Sequence, residues 1–305
     1  MSIRLEKPGS PSDYDAWVRI MARVSGQEFG AEELIHAIET DVKSAWILAY
    51  LDDEPTGCGV GRPSSVAGSQ YSMARVLPEF RRQGVGSALL LELSEHARRS
   101  GSTSLWGRVR EDDSESMGYA QRRGFEEVGR DLQVVLDLAS IDPSPEPPAG
   151  LEIVSIAERP DLIQAVFEVE TEVAPDMPIP PGQSHKPMTF ERWSNFYLEG
   201  PGAMPEALVV ALVEGEVVGY AGMRRRGSTS RTGENMLTAV RRPWRRRGIA
   251  TALKLAQIER ARLAGIEQLF TTNDETNAGM REVNRRLGYK PLPAEIIVSG
   301  PLVGS

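Results

Sequence analysis

The chain has 305 residues, 40% of them apolar and 26% charged, with a formal net charge of −8. That balance suits two globular domains of ordinary size and excludes a disordered chain, while the acidic total argues against a nucleic-acid partner. The one cysteine, Cys58, excludes an internal disulfide and points to a reducing, cytoplasmic location; no apolar run is long enough for a membrane span.

In chain order, an amphipathic helical region leads to a hairpin, "AWILAYLDDEPTGCGVG" from Ala45, with an acidic turn at Asp52-Asp53-Glu54. Cys58 falls in its second strand beside Gly57 and Gly59 and reads as a packing residue. A further strand ends at an Arg/Gly loop, and a long helix follows in "LPEFRRQGVGSALLLELSEHARRSG", Leu77 to Gly101. The short strand "TSLWGRV", a shorter helix and the β-rich "LQVVLDL" complete the half. Prolines in "SIDPSPEPPAG", Ser140 to Gly150, fix φ and remove donors, so neither helix nor sheet continues through it.

The second half repeats this order. "ALVVALVEGEVVGYAGM" from Ala207 matches the first hairpin at an offset of 162, with its turn at Glu214-Gly215-Glu216. "RRPWRRRGIATALKLAQIERARLAG", Arg241 to Gly265, matches the first loop and helix at an offset of 164, pairing Arg81 with Arg245, Gly84 with Gly248 and Gly86 with Ala250. In its helix Ile249, Leu253, Ala256 and Leu263 recur at helical spacing and are expected to face the sheet. "EQLFTTN", a shorter helix ending in "RLGY" (against "RRGF" at Arg122 to Phe125) and "AEIIVSG" close the half. Three blocks in one order mark a tandem duplication: residues 1–140, a linker at 141–150, and residues 151–305.

A glycine loop between strand and helix suits phosphate. The first helical turn leaves amides without partners, the macrodipole adds partial positive charge, and arginines add charge-assisted bonds. The spacing excludes the dinucleotide fingerprint and the P-loop, since Gly248 has no glycine two before or three after it and no G-K-S/T follows. What stands is R-x-x-G-x-A at Arg245 and R-x-x-G-x-G at Arg81, each after a strand and about forty residues before R-x-G-F/Y. The concentrated charge in an acidic chain is therefore aimed at a polyphosphate.

On these motifs both halves resemble the GNAT superfamily of acyl-CoA-dependent N-acetyltransferases, in tandem. The resemblance implies an α/β (α+β) fold of two domains, each a mixed, mostly antiparallel sheet splayed in a V and flanked by helices. It implies acetyl-CoA (coenzyme A) as cofactor, its pyrophosphate on the loop amides and its pantetheine arm in the gap. In the second half the implied cofactor residues are Thr238, Ala239, Val240, Arg245, Arg246, Arg247, Gly248, Ile249, Ala250, Thr251 and Asn277. A second site in the first half would use Val76, Arg81, Arg82, Gln83, Gly84, Val85 and Gly86.

The halves differ where chemistry is expected. The family often uses a glutamate on the strand before the loop as base. Glu234 stands there, whereas the first half has Gln70; alternation would put Glu234, Met236 and Thr238 on one face. Asn277 is a pantetheine partner or an N-cap, with Asp113 opposite it in the first half. The family's thiol-protonating tyrosine is replaced by Asn284 and Ala120. The expectation is a catalytic second half and a first half that is structural or binds coenzyme A without turnover.

The insert Val173 to Trp193, with five prolines, has no counterpart in the first half and is read as an acceptor lid. Asp176 is the candidate for an acceptor ammonium, and Trp193, Phe196 and Tyr197 for an apolar wall; Asp176 alternatively sits in an ordinary crossing loop. His36, His96 and His185 have no metal spacing, and no metal is expected. The leading function is transfer of acetyl to a primary amine of a small molecule by a monomer or homodimer. The alternatives are a protein or peptide N-acetyltransferase and a non-catalytic acyl-CoA-binding regulatory protein.

Overall fold

Hairpin turns and helix caps lay down the order of elements. The computed structural model describes residues 2–26, 30–64, 68–141, 147–176, 188–227 and 230–304. The first repeat runs β1 (Ile3–Glu6), α1 (Pro11–Ser25), α2 (Ala31–Thr40), β2 (Ala45–Leu51), β3 (Glu54–Pro63), β4 (Ser69–Val76), α3 (Val85–Arg99), β5 (Ser104–Arg110), α4 (Ser114–Gln121) and β6 (Glu126–Asp137). The second runs β7 (Glu152–Ser155), α5 (Ile163–Val173), α6 (Phe190–Ser194), β8 (Val209–Val213), β9 (Glu216–Arg225), β10 (Thr232–Val240), α7 (Ile249–Leu263), β11 (Gln268–Asp274), α8 (Ala278–Arg286), β12 (Lys290–Pro291) and β13 (Glu295–Pro301).

Local chemistry accounts for the boundaries. Ser10 and Asp13 form a capping box before α1, Pro11 opens the helix, and left-handed Gly26 ends it. Both hairpin turns carry two consecutive positive φ values, at Asp52 and Asp53 (47° and 68°) and at Glu214 and Gly215 (51° and 84°), which matches the twist of the flanking strands. In α7 the buried face is Ile249, Ala252, Leu253, Lys254, Gln257, Ile258 and Ala261. Leu263, expected on that face, is 79% exposed, because it lies about 200° around the helix from Ala261.

Among the described residues the chain forms two compact units, one of 2–131 with 293–304, the other of 132–176 with 188–292. In unit one the strand order is β1-β2-β3-β4-β5-β13-β6, so the last strand of the chain lies between β5 and β6 and is antiparallel to both. In unit two the order is β7-β8-β9-β10-β11-β6, with β12 paired to β6 beyond it. Here the end of β6, from Leu132, takes the place that β13 takes in unit one. The sequence boundary at 141–150 therefore differs from the division of the fold: unit one is completed by residues from the far end of the chain.

The cores follow. In unit one, Trp17, Ile20 and Leu34 of α1 and α2 bury one face of β2–β4, and Val85, Leu89 and Leu93 of α3 cover the other. Ile296 and Val298 of β13 pack with Leu90, Leu105 and Phe125. In unit two, α5 and α6 cover one face through Val166, Val169 and Trp193, and α7 covers the other through Ile249 and Leu253. Leu136 and Leu138, from β6 and just after it, pack with Ile258, Leu269 and Tyr289. Cys58 is fully buried, and burial pushes its thiol pKa far up, as a packing residue requires. Among the described residues no helix is long and apolar enough to cross a membrane.

Two of the described strand pairs, β4 with β5 and β10 with β11, are parallel, and both are short. β4 meets β5 only over Ser69–Tyr71, and β10 meets β11 only over Thr232–Glu234. Past those residues the strands part. This is the splayed gap, one in each unit.

Candidate functional site

Each gap opens toward an Arg/Gly loop, and the two loops follow one path. In unit two the chain makes a single 3₁₀ turn at Arg242–Trp244, straightens at Arg245 (φ −67°, ψ 158°) and enters α7. Arg246 has φ 62° and Gly248 has φ 82°. In unit one Arg82 and Gly84 have φ 63° and 90°. No side chain caps α3 or α7. The first main-chain bond into α7 is from Ala252 N–H to the Gly248 carbonyl (3.0 Å), so Ile249, Ala250 and Thr251 amides have no partner among the described residues. A Cβ on Gly248 would come within 3.9 Å of Pro148 and nothing nearer, so the space beside this glycine is open. A helix start of this kind suits an anion by both hydrogen bonding and dipole.

The arginines divide their work differently from expectation. Arg245 is a brace: its Nε donates to the Val240 carbonyl (2.9 Å) and its Nη2 to Asp176 (2.6 Å). Arg81 does the same at Val76 (3.5 Å) and Glu115 (2.8 Å). Arg246 and Arg247 are exposed, Arg247 lying 4.8 Å from the centroid of the Trp244 ring, and remain available to an anion. Asp176, expected to hold an acceptor ammonium, instead takes hydrogen bonds from Arg242 and Arg245, which hold its carboxyl well below the usual carboxylate range. Asn277 caps α8 by accepting from Met280 N–H (3.1 Å), as Asp113 caps α4 by accepting from Ser116 N–H (2.9 Å).

Trp193 (0% exposed) and Tyr197 (4%) are core residues rather than a cleft wall. The Tyr220 hydroxyl is hydrogen-bonded to buried Glu170. Most of the insert from which a lid was expected, residues 177–187, lies outside the described residues.

Strand β10 differs from its counterpart in the first repeat. Asn235 opposes Met223 on β9 but Thr238 opposes Ala221, so one extra residue bulges at Met236–Leu237. β4 runs against β3 in unbroken register. The bulge puts Glu234 and Thr238 on opposite faces, since their β9 partners, Arg224 and Ala221, are three residues apart. Glu234 lies on the α5 face and is held by Arg226 (3.2 Å). It opposes Phe270, while Tyr71 opposes Trp106. At the constant offset that relates β5 to β11, its counterpart is thus Tyr71, not Gln70. The ungapped repeat alignment hid the inserted residue.

Comparison with known proteins agrees with this geometry. The profile of the acetyltransferase (GNAT) family matches residues 14–125 and 166–289. The chain belongs to the GNAT family. A GCN5-related N-acetyltransferase from Sphaerobacter thermophilus shares its fold, with 22% identity, a TM-score of 0.77 and coverage of 99% of this chain and 96% of that one. A tandem GNAT protein from the clavulanic acid biosynthesis pathway superposes with a TM-score of 0.80 at 19% identity, covering 100% of both chains. No curated protein matches the sequence. The chain is a tandem GNAT acyltransferase with two splayed, mostly antiparallel sheets.

Within this GNAT fold, unit two contains buried polar residues around Asn284, among which sequence reasoning passed over Lys254, Asn235, Gln257 and Asn273. Lys254 on α7 is 2% exposed and makes no ion pair or hydrogen bond with a described residue; its Nζ lies 5.3 Å from the centroid of the Tyr289 ring. Asn284, at the tyrosine position of the family, is 2% exposed and donates to Asn273 Oδ1 (3.1 Å). Its own Oδ1 is buried with no partner. The Tyr289 hydroxyl donates to Asn235, which donates to Gln257, and Gln257 is anchored on the Ala207 carbonyl (3.1 Å). The repeat alignment held the signal: Lys254 stands against Leu90 and Asn284 against Ala120.

Burial lowers the Lys254 pKa from its ordinary 10.5 to about 8. Between those values the unfolded chain keeps a proton that the folded chain has released, so this site's penalty is full below pH 8 and fades as pH rises toward 10.5. Lys254→Met is expected to stabilise the protein by roughly 3 kcal/mol at pH 7, with the gain shrinking above pH 8. Urea midpoints of both proteins across pH 6 to 10 check this; a pH-independent difference contradicts it.

Proposed function

We propose that unit two transfers an acyl group, acetyl being the one the family implies, from its coenzyme A thioester to a primary amine of a small molecule. The observation that carries the choice of unit is the bulge in β10. It sits on the strand edge that β11 leaves unpaired and takes one residue's main-chain donor out of the ladder, where a carbonyl laid along that edge can meet it. The uncapped α7 amides, with Arg246 and Arg247, fit the cofactor's diphosphate. Thr238, Ala239 and Val240 form the strand edge between loop and bulge.

Glu234, oriented by Arg226 at the point where the strands part, is the residue to take a proton from the incoming ammonium, directly or through one water. The amine nitrogen then bonds to the thioester carbon as the carbon–sulfur bond breaks, and the thiolate leaves with a proton from solvent. Asn284 is buried and tied to Asn273, so it is no acid; a thiol of pKa near 8.5 needs modest help to leave. Unit one keeps the glycine loop, with Ile3 close against Gly84, but has a regular β4 and Tyr71 at the base position, which supports cofactor binding without turnover.

Glu234→Gln is expected to lower kcat by about 10²-fold with little change in cofactor affinity. Thiol release from acetyl-CoA against a panel of amines and peptides measures it. A rate equal to wild type at every pH discards Glu234 as base, and turnover confined to peptides discards the small-amine reading.

A further inference from the structure

The buried polar residues of unit two lie where unit one is apolar. At an offset of 164, Leu90, Leu93, Val109, Ala120 and Phe125 become Lys254, Gln257, Asn273, Asn284 and Tyr289. In unit one Leu90, Ala120 and Phe125 belong to one apolar cluster. In unit two the equivalent positions hold a buried ammonium that pairs with no described residue and an amide with one end unsatisfied. A frame of Tyr289, Asn235 and Gln257 holds them without using either. Buried charges and amides are rarely left this way unless something else completes them.

Their place in the fold says what completes them. The paired stretch of β10 and β11 ends at Glu234 and Phe270, and Thr271 Oγ1 reaches the Asn235 carbonyl at 3.3 Å just beyond it. Asn235 is thus at the apex of the gap, with its side chain toward α7. The loop at Gly248 marks the other end. A thioester laid along β10 from that loop to the bulge points its acyl group at the apex. Glu234, on the α5 face, leaves that side to the amine, and the α7 side to the acyl group.

We infer that Lys254 and Asn284 form an acyl-recognition subsite for a chain that ends in a carboxylate, so that the preferred donor is a dicarboxylic acyl thioester. The inference rests on the reading that unit two binds a coenzyme A thioester, and it names the acyl group. A carboxylate supplies the charge that Lys254 lacks. The Asn284–Asn273 pair, turned over together, keeps its mutual bond and offers an N–H to the second oxygen. An acetyl methyl would satisfy neither group.

The test is calorimetric titration of the full chain with coenzyme A, acetyl-CoA and succinyl-CoA, in a Gly84→Glu background that silences the loop of unit one. Succinyl-CoA is expected to bind roughly 30-fold more tightly than acetyl-CoA. Lys254→Leu, which installs the residue of unit one, should abolish the preference, and Lys254→Arg should keep part of it. Equal affinities in the parent, or a preference untouched by Lys254→Leu and by Lys254→Met, overturn the inference while leaving coenzyme A binding intact. Absence of coenzyme A binding in the Gly84→Glu parent overturns the functional reading beneath it.

Discussion

Expressed separately, residues 1–140 and 151–305 are each expected to fail to fold. The first fragment lacks β13, and with it Ile296, Ile297 and Val298, which are 6%, 7% and 4% exposed in the intact chain. It also loses the antiparallel ladders that β13 makes with β5 and β6. Burying three such side chains contributes roughly 6 kcal/mol, comparable to the whole stability of a domain of this size. The second fragment lacks Leu136 and Leu138, both essentially inaccessible to solvent, and the strand next to β11. Circular dichroism melts check this: a cooperative transition in either fragment near that of the intact chain refutes it. The register supplies a positive control. Asp131 opposes Glu295, so a short turn joining those residues, in a chain of 1–131 and 295–305, should restore a cooperative unit one.

Gly248→Glu is expected to remove coenzyme A from unit two, by more than about 100-fold in affinity. The residue has φ 82°, where an L side chain costs about 1–2 kcal/mol. A carboxylate at the mouth of the α7 amides also repels a diphosphate and occupies the space the diphosphate needs. Titration in the Gly84→Glu background reads the effect on one site; unchanged affinity would show that the cofactor does not use this loop. Arg245→Ala should act differently. Because Arg245 ties the loop to Val240 and Asp176, its loss should loosen the loop rather than delete one phosphate contact.

What was legible in the sequence was local. The acidic hairpin turns, the two glycines at positive φ and the helix that follows each loop are dictated within a few residues, and the repeat displays each twice. What was not legible depends on comparison across distance. One residue inserted in β10 shifts every face before it, so the ungapped alignment set Glu234 against Gln70 when Tyr71 is its counterpart. Asp176 looked free because its partners, Arg242 and Arg245, are over sixty residues away. Trp193 and Tyr197 looked like a wall because aromatic residues at the end of an insert and just after it read as binding surface until their burial is known. Strand patterning marked "LQVVLDL" and "AEIIVSG" as β, yet alternation says nothing about which sheet a strand joins.

The place of β13 also bears on how this protein is made. A ribosome releases the chain from its N-terminus, and most N-terminal domains can settle while the remainder is still being assembled. Here the first unit waits for β13, which follows the other elements of the second repeat, with the facing edges of β5 and β6 bare until that strand has been made. Such long-range closure slows folding and leaves strand edges open to stray pairing. Chaperone dependence and low yield at high expression temperature are the expected cost, and both should ease in the variant that joins Asp131 to Glu295 by a short turn.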